Sequence, residues 1–250
     1  LVPNPQRGQP SRFPTRLSES GLFASVKNHR LAPGVIPYDV ATEPWNDGAT
    51  SQRAIAVPGN SQVTTNGKWG FPAGTVVLKT ISLAMAPGRI ETSRRLETQL
   101  MHYDGDAWRG YCYRWNDEQS DATLLESSGR DVALKLKHPD VVRRQQTWHF
   151  PSRVECVRCH NPWSGHVLSF NSAGLDVPAP SDSKSGSQLE ALSNLGLFNP
   201  PLKGSANPAL VNPYDDSRPV ERRARSYLHA NCGHCHRLHA GSAVLAYMHH

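Results

Sequence analysis

The stretch RRLETQLMHYDGDAWRGYCYRW, residues 94–115, decides the fold class. Two runs of apolar and aromatic residues flank Asp104-Gly105, a turn pair whose glycine accepts positive φ. On the first run Leu96, Thr98, Leu100 and His102 alternate to one face. On the second, Tyr111, Tyr113 and Trp115 share a face, with Cys112 and Arg114 opposite. An antiparallel hairpin is expected. The same character extends outward. GTVVLKTISL (74–83) is rich in β-branched residues, and DVALKLK (131–137) alternates. Short strands separated by turn signals predict a β-rich module, sandwich or barrel-like, over residues 17–150. The Pro-rich residues 1–16 read as a linker.

After Pro151 the pattern changes. A Pro/Ser/Gly-rich loop spans 177–187. A short helix follows from 188 and is stopped by Gly196. Ser217-Arg218-Pro219 opens a longer helix that puts Val220, Ala224, Tyr227, Leu228 and Asn231 on one face. The expected fold class is therefore mixed α+β: a β-rich N-terminal domain followed by small, loop-rich helical segments, one over 151–216 and one over 217–250. An internal echo accompanies this division. LSESGLF (17–23) matches LSNLGLF (192–198), and each is followed by Pro-Tyr-Asp. Two related docking segments are one reading of it, chance the other.

Four of the five cysteines fall in two Cys-x-x-Cys-His units, Cys156-Val-Arg-Cys159-His160 and Cys232-Gly-His-Cys235-His236. This spacing is the attachment signature of c-type haem. Two thiols three positions apart reach two vinyl groups, and the adjacent imidazole reaches the iron. Two haem c groups are expected, on Cys156 and Cys159 and on Cys232 and Cys235, with His160 and His236 as proximal ligands. A zinc site on all four thiolates is the competing reading, but it leaves both trailing histidines unexplained. A redox dithiol would need a βαβ context that is absent. Cys112 remains; a buried strand position suits it. Haem attachment implies export, to the periplasm or cell surface of a bacterium. The first residues lack a basic-then-apolar leader and read as a mature or trimmed start.

The net charge of +6 raises the question of nucleic acid. The basic residues are scattered, with only Arg222, Arg223 and Arg225 tightly grouped. Two ferric haems would lower the charge to about +4, and part of the basic excess can face their propionates. No nucleic-acid partner is expected. No run of about 18 apolar residues occurs, so no transmembrane segment is expected.

The order LSESGLF, PGVIPY, EPWNDGA, WGFPAGTVVLKT, RRLETQL, YRWNDEQSDA, FPSRVECVRCHN, QLEALSNLGLF and RSYLHANCGHCHR resembles a family of predicted dihaem c-type cytochromes of planctomycete and marine bacterial type. The resemblance covers about residues 17–237. It implies an exported protein with a β-rich module ahead of its haem modules. It also implies a longer helical segment after the second motif, often with a Met-Pro that supplies an axial ligand. Only 14 residues follow His236, so the natural chain is expected to continue.

The distal ligands are open. His166 follows His160 closely. Met101 and His102 lie on one strand and point to opposite faces, and His149 approaches the first motif from upstream. His239 and Met248 are the local options for the second haem. The favoured function is electron transfer with redox partner proteins, other cytochromes among them, in a monomer or an oligomer. A dihaem peroxidase-like enzyme with one open iron is an alternative. So is a binding module using Trp45, Trp69, Trp108, Trp115, Trp148 and Trp163 for a glycan or protein.

Overall fold

The structure, a computed structural model, describes residues 13–138, 141–179, 181, 183–204, 210–238 and 247–248, the side chains of 138 and 141–144 excepted. The chain opens with a short hairpin, β1 (Phe23–Ser25) and β2 (Arg30–Leu31). Next come β3 (Val35–Tyr38), β4 (Thr50–Ala56), β5 (Val63–Thr64), β6 (Val76–Ala84), β7 (Ser93–Tyr103), β8 (Trp108–Trp115) and β9 (Ala122–Leu124). A hairpin of β10 (Arg130–His138) and β11 (Val141–Phe150) leads to α1 (Arg153–Cys159) and α2 (Ser172–Leu175). The chain continues through α3 (Gln188–Asn194), β12 (Phe198–Asn199) and α4 (Val220–Asn231).

Residues 94–115 form the hairpin expected of them, β7 and β8, in the middle of a six-stranded antiparallel sheet of order β3-β4-β6-β7-β8-β9. The Asp104 carboxylate accepts from the N–H groups of Asp106 and Ala107, and Gly105 takes φ +101°. The sheet is open, with β3 and β9 as its edges, and is not a closed barrel. One expectation on β7 is corrected. Ile81 pairs with Glu97 and Ser82 with Arg95, so Leu96 is the extra residue of a bulge. The bulge turns Leu96 away from Leu100 and into a cluster with Cys112, Leu136, Trp148 and Phe150.

Both faces of the sheet are covered. On one, Leu17, Leu22, Phe23 and Val26 pack on Leu78, Leu100, Tyr111, Tyr113 and Trp115. Beneath them the Thr80 and Thr98 hydroxyls bond to each other at 2.8 Å. His29 Nε2 meets Thr80 at 2.9 Å, and Trp115 Nε1 donates to Thr98 at 3.0 Å, so this buried polar node is internally paired. On the other face Tyr38, Ile55, Val77, Met101 and Trp108 share a cluster with Val167, Phe170, Leu175, Leu189, Leu192 and Phe198. The residue-150/151 boundary is thus a change of secondary structure within one continuous core, and β12 pairs in parallel with β5 across it.

The echoed segments fold alike. Gly21 and Gly196 take φ +74° and +78° and each turns a buried Leu-Phe pair inward, Leu22-Phe23 and Leu197-Phe198. They pack in different clusters, one on each face of the sheet. The helix expected after Pro219 is present as α4, but its expected inner face is not the buried one. Val220 is 76% exposed and Leu228 39%, and the buried residue is Ser226, whose hydroxyl accepts the Val211 N–H at 3.0 Å. No helix among the described residues is long and apolar enough to cross a membrane.

Candidate functional site

The first cysteine motif is built onto the sheet. Ser152 caps α1 by accepting the Glu155 N–H, and the Glu155 carboxylate accepts the Ser152 N–H at 2.7 Å. The reciprocal pair satisfies two helix-end donors that would otherwise be orphaned. The Arg153 N–H donates to Ser127 O, and its guanidinium lies 4.9 Å from the Tyr111 ring centre. The helix then meets β8 at Gly110. A Cβ there would stand 2.6 Å from Cys156 Cβ and 2.9 Å from its Sγ. Only glycine lets the Cys156 backbone approach this closely.

His160 caps the same helix. Its Nδ1 lies 2.5 Å from the carbonyl oxygen of His166. A carbonyl only accepts, so Nδ1 carries the proton and Nε2 presents a lone pair. Burial is the main reason that the imidazole pKa falls to about 4, so the ring is neutral at ordinary pH. The loop that supplies the carbonyl is itself cross-tied. Asn161 Oδ1 accepts from the Trp163 and Ser164 N–H groups, and the Ser164 hydroxyl donates to Cys159 O. His166 Nδ1 donates back to His160 O at 3.2 Å.

The second motif continues from the C-terminal end of α4. Cys232 is the C-cap residue, and the Cys235 and His236 N–H groups donate to its carbonyl. Gly233 has the His229 carbonyl 2.7 Å from its ideal Cβ, so this turn also requires glycine. Side-chain contacts tie the segment to the rest of the chain and brace it internally. Trp45 N–H donates to Asn231 Oδ1 at 2.7 Å. Arg237 donates to Gly233 O at 2.8 Å and to Trp163 O at 3.1 Å, linking the two motif loops.

The motifs therefore meet, although 76 positions separate them. Ligand atoms of Cys159, His234 and Cys235 lie within 4.8 Å of one another. A cavity of about 330 Å³ opens beside them, lined by Cys156, Cys159, His160, Met101, Lys79 and His234, with Arg53 in its wall. Arg53 is bound bidentately by Glu43 at 2.6 and 2.8 Å. Burial foremost, then Arg53, lowers Lys79 to about 8, which leaves it mostly cationic at neutral pH. A second cavity of about 540 Å³ reaches His160 and His166 from the side of Trp69, Phe71 and Trp108.

The distal candidates separate. Met101 shares the smaller cavity with Cys156 and His160. His102 points to the other face and packs 5.5 Å from Phe13, away from both motifs. His166 holds the His160 ring through its carbonyl, on the side opposite Nε2. His149 has both ring nitrogens engaged, Nδ1 with Asp131 at 2.6 Å and Nε2 with Glu155 at 3.1 Å. The Met248 N–H donates to His236 O, which places its backbone on the motif turn itself. His239 lies outside the described residues. Cys112 is buried on β8, as its strand position suggests, and its thiol donates to Glu97 at 2.9 Å. Burial and that carboxylate raise its pKa. Of the tryptophans, Trp108, Trp115 and Trp148 are core, while Trp45 and Trp163 are more than half exposed.

Two features of the site escape a reading of the sequence. The His166 carbonyl is a backbone group, and only the short His160-to-His166 spacing hints at it. His234 occupies a variable position of the motif, so the pattern assigns it nothing. The chain matches no family model, no curated protein and no solved structure.

Proposed function

We propose that the chain is an exported dihaem c-type cytochrome that carries electrons between redox partner proteins. The observation that carries this reading is the His160–His166 hydrogen bond. Metal-binding histidines almost always donate their second ring N–H to a carbonyl or carboxylate, which fixes tautomer and orientation. Here that donation follows directly on two cysteines at haem-attachment spacing. The residues present fit the group. Cys156 and Cys159 would tether the first haem and His160 would face its iron; Cys232, Cys235 and His236 would do so for the second. The iron, when bound, passes one electron between ferric and ferrous states.

The remaining work falls to the protein. His160 is held neutral by burial, so no proton competes for Nε2 near pH 7. Lys79 puts positive charge in the wall of the cavity, where a propionate carboxylate could pair with it; Arg53 beside it is already paired with Glu43. Met101 offers a thioether from the sheet side of that cavity. His/Met ligation would raise the potential relative to a bis-histidine pair.

Optical spectra of the exported protein test the role. Electron transfer predicts low-spin iron at both sites, reversible reduction, and no spectral change with cyanide or peroxide. A high-spin ferric band that shifts on adding cyanide would transfer the assignment to a haem oxidoreductase with one open iron.

A further inference from the structure

We propose that the chain, before haem is attached, holds a zinc-class divalent cation on Cys159, His234 and Cys235. The site is independent of the haem reading, since a chain that never receives haem still has all three ligands.

The three ligand atoms come from two segments that the fold joins, and all lie within 4.8 Å of one another. Tetrahedral zinc with Zn–S near 2.3 Å and Zn–N near 2.0 Å needs ligand separations of about 3.5–3.8 Å, so a small closure suffices. His234 supplies the independent pointer. Its Nδ1 is buried and has no hydrogen-bond partner. An unsatisfied buried ring nitrogen is costly, and a coordinate bond to it would remove that cost. A divalent cation takes the place of the two thiol protons. Arg237 clamps the arrangement by bonding to Trp163 O in the first motif loop and to Gly233 O in the second.

The balance is simple. Two thiol protons leave, one divalent cation enters, and no electron moves. Three protein ligands leave a fourth position for water. This is not the four-thiolate site that the cysteine count alone suggests, because His234 replaces Cys156 and Cys232. Thioether formation consumes the Cys159 and Cys235 sulfurs, so metal binding and haem attachment exclude each other there.

The test is a Co²⁺ titration of the full chain produced without haem attachment, followed by displacement with Zn²⁺. The expected result is one Co²⁺ per chain, with thiolate charge-transfer absorption and tetrahedral ligand-field bands, and release of about two protons. His234→Ala should weaken binding by on the order of 100-fold or more, the upper end of what even outer-shell changes cost. His236→Ala, and Cys156→Ser with Cys232→Ser, should leave affinity unchanged. Near-UV circular dichroism checks each variant's fold, and His234→Gln replaces His234→Ala where the latter unfolds. A folded wild-type chain without cobalt bands overturns the proposal. So does loss of binding in the Cys156/Cys232 variant, or in His236→Ala but not at His234. Haem attachment to the exported protein bears only on the proposed function; cobalt bands in the haem-free chain bear only on this site.

Discussion

The two Cys-x-x-Cys-His segments share a pattern and differ in how the fold holds them. The first sits on the central sheet. Its helix is capped by Ser152, its cysteine presses on Gly110, and its histidine is oriented by the His166 carbonyl. The second follows a helix whose N-cap, Pro219, makes no side-chain capping bond and whose Val220 is 76% exposed. Its described ties run to Trp45 and to Trp163, the latter in the first motif's own loop. The same five-residue chemistry thus has two mechanical frames, one fixed by the sheet and one placed partly through the first.

The largest effect that sharpens this contrast is on haem content. Cys156→Ser with Cys159→Ser should remove one covalent haem and reduce occupancy at the second motif as well. Cys232→Ser with Cys235→Ser should remove one haem and leave the first fully occupied. Intact mass reads both. Equal, independent losses would erase the proposed dependence.

Next in size is the glycine contact. Gly110→Ala drives a methyl into Cys156, and overpacking of this kind costs about 1–3 kcal/mol. The urea midpoint of the whole chain should fall, because β8 is central to the core. Gly233→Ala meets the His229 carbonyl instead and should lower haem occupancy at the second motif with little change in that midpoint. The reverse order would place the structural weight on the second motif.

These positions also show what the sequence could and could not convey. Residues 94–115 announced their hairpin because alternation and an Asp-Gly turn are local signals. Leu96 did not announce its bulge, since the extra residue is defined by its partners Ile81 and Ser82 on β6. Gly110 carries no local signal of its role, because the reason for it lies 46 positions away in Cys156. The cysteines and trailing histidines stand out as candidates by their spacing alone. His234 does not, because its significance depends on Cys159 lying close by in space. The burial of α4 is not legible from its face of four apolar residues and Asn231, because the buried residue is one serine bonded to Val211.

A smaller effect concerns the caps. Ser152→Ala should cost about 1 kcal/mol by chemical denaturation, whereas Pro219→Ala should cost far less because no capping bond is lost. Comparable costs would contradict the asymmetry between the helices.

The smallest expected effect is pH-dependent. Asp131 first, then Glu155, raises the His149 pKa, and the Glu155 contact ties β11 to α1. A raised folded pKa means that this stabilisation is full below the unfolded histidine pKa of about 6.5 and is lost as pH rises through the folded value. The group is half exposed, so His149→Gln should cost a few tenths of a kcal/mol at pH 6 and nothing measurable at pH 9. A cost that grows with pH would reverse the sign assigned to the contact.

The central claim, that both motifs carry covalent haem, meets its most direct test in the intact mass of the exported chain read with its pyridine haemochrome spectrum. The account predicts a mass increase of two haems that survives denaturation and a c-type spectrum of matching intensity. A chain at its unmodified mass with no haemochrome bands would contradict it.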